Sequence, residues 1–165
     1  FESAEASFEL LMREAMGDRP RFFELLDFQV HCVTRNTLEA GNLRQGMDAW
    51  ALVKLNVHGE EVLQAGEGNG PVSALDAALR KALLKGYPQI EDFYLTDYKV
   101  RIWDGTTGTA ARIRVLIEMS NGQQRWITVG VSTNIIEASY QALVEGMEYG
   151  LLLNLAPQAP QSVPT

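Results

Sequence analysis

Three glycines, Gly66, Gly68 and Gly70, alternate along the chain directly ahead of Pro71. Glycine leaves the backbone N–H groups around it open to close approach, and Pro71 suits the first turn of a helix, where its missing N–H costs nothing. The start of that helix adds the positive end of its dipole. Together these features suit one small anion, such as a carboxylate. Two nucleotide readings fail on spacing. A dinucleotide fingerprint needs a glycine three residues after its second one, where this chain has Pro71, and no Gly-Lys-Ser/Thr follows for a phosphate loop. The equivalent position later in the chain is Ser132-Thr133-Asn134, whose side chains also serve as ordinary helix caps.

Catalytic constellations are sparse. The two histidines, His31 and His58, sit in a strand and a hairpin turn, with no cysteine or carboxylate cluster at metal-ligand spacing. Carboxylate pairs such as Glu60-Glu61 and Glu91-Asp92 fall in turns, where solvated charge is the default, and no nucleophile elbow frames a serine. The one cysteine, Cys32, lies in an alternating strand pattern and has no internal disulfide partner, which fits a reducing cytoplasm. The net charge of −7 repels phosphate backbones and anionic lipid, so neither nucleic acid nor a membrane is an expected partner. No run is long enough to span a bilayer, and no signal peptide is expected. Opening at Phe1 in mid-pattern, the chain reads as a fragment of something longer, a regulatory module without catalytic groups of its own.

The elements that must position the glycine loop follow from periodicity. Ala4, Phe8, Leu11, Met12 and Ala15 recur at helical spacing until Gly17-Asp18-Arg19-Pro20 stops them, giving a linker helix within residues 1–20. Strands are expected over 23–34, 49–57 and 61–65, with a long loop around 36–48 and a hairpin at Asn56-Val57-His58-Gly59. A helix over 71–85 carries Val72, Leu75, Ala78, Leu79, Ala82 and Leu83 on one face. Gly86 and Pro88 end it. The pattern then repeats: strands over 93–103, 110–119 and 124–131, an Asn121-Gly122 hairpin, and a helix over 134–152. Residues 154–165 are proline-rich, polar and expected to be disordered.

The repetition extends to residue identities. Phe23 to Val30 matches Phe93 to Val100 at an offset of 70, and Gly66 to Ala74 aligns with Gly130 to Ala138 at an offset of 64. Two matches in the same order, each followed by a helix, point to a duplication with copies at 21–90 and 91–153. The fold class expected is α+β: two duplicated βββα units forming antiparallel sheets packed with helices, preceded by the linker helix. A three-stranded sheet with one helix is too thin to stand alone, so the copies should pack back to back or close their core across a dimer.

These residues resemble a known family. Gly68-Asn69-Gly70-Pro71-Val72, with the segment from Asp97-Tyr98 through Gly105-Thr106-Thr107-Gly108-Thr109-Ala110-Ala111, is similar to the C-terminal regulatory domain of the α-isopropylmalate synthase family. Ala4 to Leu11 and Val129 to Ser139 look most like its (R)-citramalate synthase branch. The resemblance implies a regulatory, dimer-forming domain over 21–153 that binds isoleucine, or leucine in the isopropylmalate branch, as a feedback inhibitor. It also implies a partner catalytic barrel elsewhere in a longer chain, where a divalent metal and acetyl-CoA would be used; no cofactor is expected in this fragment. Carried over by position, Gly68, Asn69, Gly70, Pro71, Val72 and Ser73 would receive the effector's carboxylate. Leu95, Asp97 and Tyr98 would form part of the wall, Asp97 facing the ammonium. Ala110 and Ala111 would leave room for a branched side chain, and Ile135 would pack on it. The family often has an alanine or leucine pair after the proline, so Val72-Ser73 departs from the pattern and leaves the effector open between isoleucine and leucine.

Overall fold

The computed structural model describes residues 4–39, 42–103 and 111–155, apart from the side chains of 34–47 and of Trp103. Helix α1 (Glu5–Ala15) comes first, then strands β1 (Phe23–Glu39), β2 (Asn42–Val57) and β3 (Glu60–Gly68) and helix α2 (Pro71–Leu84). A 3₁₀ turn at Pro88–Asp92 leads into β4 (Tyr94–Trp103), β5 (Arg112–Ser120), β6 (Arg125–Ser132) and α3 (Ile135–Leu155). Both sheets are antiparallel, in the orders β1-β2-β3 and β4-β5-β6. The chain divides into two compact units. One is Phe23–Pro88, and the other combines the segments before and after it.

The duplication is visible in the register. Phe28 pairs with Val53 and Tyr98 with Ile117, so the offset is 70 on the first strand and 64 on the second. Each first strand slips at the same place, between Leu25 and Asp27 and between Leu95 and Asp97. In the first unit, alternate β2 residues Ala49, Ala51, Val53, Leu55 and Val57 are buried, as are Leu75, Ala78, Leu79, Ala82 and Leu83 of α2, which packs on β2 and β3. Val115, Ile117 and Met119 of β5 and Ala142, Leu143 and Met147 of α3 repeat that arrangement. Each fully buried leucine or isoleucine contributes roughly 1.5–3 kcal/mol, which is what holds a single helix to a three-stranded sheet.

Helix α3 has its own device for a larger core. Gly150 lies against the rings of Phe93 and Trp126, which meet edge to face at 5.5 Å, and Trp126 Nε1 donates to the Gly146 carbonyl at 2.8 Å. Helix α1 packs on α3 and β6 in the same unit. Ser7 Oγ accepts from the Val129 amide at 2.8 Å and donates to Glu145 Oε2 at 2.6 Å, while Arg19 reaches the buried Glu148 at 3.3 Å. The amide of Val131 donates to Gln141 Oε1 at 3.2 Å, so side chains satisfy the outer edge of β6.

Three expectations need correction. The loop around 36–48 is replaced by a hairpin whose arms pair down to Glu39 opposite Asn42. Asn36, Asn42, Gly46 and Asp48 read locally as turn formers, but the ladder of the partner arm satisfies the backbone and overrides that preference. The second hairpin turns on Gly122-Gln123 and not on Asn121-Gly122. Gly122 takes φ +89°, and Asn121 Oδ1 accepts from the amides of Gln123 and Gln124 at 2.9 and 2.8 Å. Finally, α3 includes Asn154 and Leu155, which were expected in the tail; residues 156–165 lie outside the described chain.

Candidate functional site

Why the glycines alternate becomes clear from their surroundings. Gly66 and Gly68 lie where β3 meets α2, and a Cβ on Gly68 would stand 2.7 Å from the side chain of Ser73. Those two positions are fixed by packing. Gly70 is different: a Cβ there would meet nothing within 4 Å, and φ of −170° is extended backbone open to any residue.

Gly70 is the N-cap of α2, and its carbonyl accepts from Ala74 N at 3.0 Å. No side chain caps this helix. Among the described residues, no hydrogen bond satisfies the first-turn amides of Val72 and Ser73. The duplicated start of α3 is closed instead: Asn134 Oδ1 accepts from Ile136 N at 2.8 Å and Glu137 N at 3.4 Å, and Ser132 Oγ accepts from Asn134 N at 3.1 Å. The sequence offers Ser132-Thr133-Asn134 as ordinary helix caps, and Asn134 and Ser132 act as such.

Beside Gly68 opens a cleft of about 360 Å³, lined by Val33, Asp48, Ala49, Trp50, Glu67 and Gly68. Its volume falls in the range of about 300–1,000 Å³ typical of small-molecule sites. Two carboxylates, Asp48 and Glu67, line it together with the indole of Trp50, which stacks at 4.0 Å on His31. Asp48, Trp50 and Glu67 were not among the residues expected from sequence. Their only signal was register, since β2 and β3 pair Ala49 with Gly68 and Trp50 with Glu67.

The remaining expected site residues lie in the other unit. Leu95 and Tyr98 are half-buried on β4, opposite Met119 and Ile117. Asp97 is exposed, accepts from the Tyr98 amide at 2.9 Å, and stands 3.8 Å from Lys99 Nζ. Ala111 precedes β5 at the far end of that sheet, where Trp103 pairs with Arg112. Trp103 lies five residue steps along the strand from Tyr98, about 17 Å at about 3.4 Å each. Ile135 opens α3 at the end where Ser132 pairs with Ile113, so it shares the end of the sheet with Ala111 and not with Leu95, Asp97 and Tyr98. Ala110 lies outside the described residues. Among the described residues, no three His, Cys, Asp or Glu side chains converge to hold a metal ion, and no helix is long and apolar enough to cross a membrane.

Two duplicated βββα units, each a three-stranded antiparallel sheet carrying one helix, define the class of fold. The chain belongs to the LeuA allosteric (dimerisation) domain family, whose pattern it matches over residues 2–151. It is 63% identical over 153 residues to an (R)-citramalate synthase of Synechocystis sp., covering 93% of this chain and 27% of that protein. It is 49% identical over 151 residues to an (R)-citramalate synthase of Geobacter sulfurreducens, covering 92% of this chain and 28% of that one. A 2-isopropylmalate synthase of Shewanella woodyi is 33% identical over 138 residues, 84% of this chain and 23% of that protein. The chain thus spans about a quarter of the length of these relatives.

Proposed function

We propose that this chain is the effector-binding, homodimeric regulatory part of an acetyl-CoA-dependent (R)-citramalate synthase, and that isoleucine acts on it as a feedback inhibitor. The observation that carries the reading is the contrast between the two helix starts. The start of α3 is closed by Asn134, while that of α2 is open at Gly70, two residues beyond a cleft-lining glycine. An amino-acid zwitterion needs an anion site and a cation site a few ångströms apart. The amides of Val72 and Ser73 and the helix dipole would take its carboxylate, and Asp48 or Glu67 its ammonium. Trp50 and Val33 would meet the aliphatic side chain.

The metal and acetyl-CoA of condensation belong to the catalytic part of the longer protein, and this chain's own work is binding. An effector shifts the attached barrel only by its differential affinity for two arrangements, typically a coupling of about 1–3 kcal/mol. Similarity to the 2-isopropylmalate synthase of Shewanella woodyi supports leucine as the alternative effector, at lower identity. Gly70→Val tests the site. The new side chain enters open space on permissive backbone, so the fold should keep its thermal stability while isoleucine binding is lost. Unchanged affinity in this variant would contradict the assignment.

A further inference from the structure

The two units differ in what covers the free edge of their third strand. In one, Ser7 and Gln141 take the outward amides of Val129 and Val131, and Ser7 and Arg19 reach Glu145 and Glu148. The 64-residue offset maps Val129, Val131, Gln141, Glu145 and Glu148 onto Ala65, Glu67, Ala77, Lys81 and Leu84. Register agrees: Leu52 pairs with Ala65 as Leu116 pairs with Val129, so the amides of Ala65 and Glu67 also point outward. Ala77 has no side-chain acceptor to offer them. Among the described residues nothing bonds these amides, and both residues are exposed. Beside them Leu63 and Leu84 are 59% and 43% exposed, flanked by the exposed Lys81 and Lys85. Folded proteins normally shield such an edge.

Helix α1 has a second face that matches. Ala6 and Leu10 are buried against its own unit, whereas Phe8, Leu11 and Met12, on the opposite side, are 63%, 65% and 45% exposed. The helix carries three carboxylates, Glu5, Glu9 and Glu14, against one guanidinium, Arg13, so its charge is opposite to that of Lys81 and Lys85.

We infer that the β3 edge and the adjoining flank of α2 form a seat for a helix, and that its occupant is α1 of a second copy of this chain. The inference rests on the dimer reading above and says which surfaces make it. The filled counterpart in the other unit shows the kind of element that fits, and the uncovered stripe of α1 supplies one. Each copy gives one helix and offers one seat, so a two-fold pair would fill both seats.

The test uses the full chain with Cys32→Ser as background. Copies bearing Phe8→Cys are mixed with copies bearing Leu63→Cys under mild oxidation, and the expected product is a disulfide-linked pair formed only in the mixture. In parallel, Leu63→Glu and Lys81→Glu change exposed side chains, and should weaken self-association about tenfold or more at unchanged thermal stability. A dimer that persists in sedimentation with both variants, and forms no mixed disulfide, would overturn the seat while leaving the dimer reading intact. A parent chain that is monomeric at every concentration would overturn both.

Discussion

A Cβ built on Gly66 of β3 would stand 2.8 Å from the carbonyl oxygen of Ala74 in α2. The duplicated Gly130 repeats the relationship, its Cβ falling 2.8 Å from the carbonyl carbon of Ala138. Strand and helix backbones thus come close at the equivalent point in each unit, and neither can retreat without opening the buried layer beside it. Gly66→Ala and Gly130→Ala are therefore expected to cost about 1–3 kcal/mol each by overpacking. Gly70→Ala, in open space, should be nearly neutral. Denaturant unfolding separates these outcomes, and a neutral Gly66→Ala would contradict the close crossing.

The cap of α3 gives a paired expectation. Asn134→Ala removes an acceptor from the Ile136 and Glu137 amides and should lower stability by about 1 kcal/mol. Gly70→Asn makes the reverse change, giving α2 the cap that α3 already has. Its stability should rise by a few tenths of a kcal/mol. The new side chain would also compete with an effector carboxylate for the same amides, so isoleucine affinity should fall by about tenfold or more. Thermal unfolding with and without isoleucine measures both effects, and a stabilised variant that still binds normally would move the carboxylate elsewhere.

Acidity should stabilise this chain at first. Burial raises the carboxyl groups of Glu145 and Glu148 above their ordinary 4.5 and that of Asp76 above 3.8, outweighing the opposing pull of Ser7 and Arg19 on Glu145, Arg19 on Glu148 and Arg80 on Asp76. Above those ordinary values the folded chain holds protons that the unfolded chain has released, so stability falls as pH rises through the folded values. The melting temperature should be higher at mildly acidic than at neutral pH. Glu148→Gln should flatten the slope, whatever it does to the absolute value. Stability that climbs with pH over this interval would contradict the burial of these groups.

Much of this was legible in the sequence, for a physical reason. Offsets of 70 and 64 appear both in residue identities and in strand register because the Leu25–Asp27 and Leu95–Asp97 slips fall at the same point in each copy. The buried faces of β2 and α2 follow from periods of two and of 3.6. The arms on either side of residues 40–41 were not legible, because backbone pairing holds them against their local turn preference. Nor was the role of Ser7, which acts on Val129 across 122 residues of chain. In the candidate site, the glycine loop stood out, but Asp48, Trp50 and Glu67 reach the cleft only through strand register. Spacing along one segment carries no trace of its neighbour's register.

Calorimetric titration of the chain with isoleucine, leucine and valine in turn tests the central claim most directly. Saturable binding of isoleucine in preference to the other two, lost in Gly70→Val, is the predicted result. Preference for leucine would assign the chain to the isopropylmalate branch. An absence of heat and of thermal stabilisation with all three would contradict effector binding and leave a module that only dimerises.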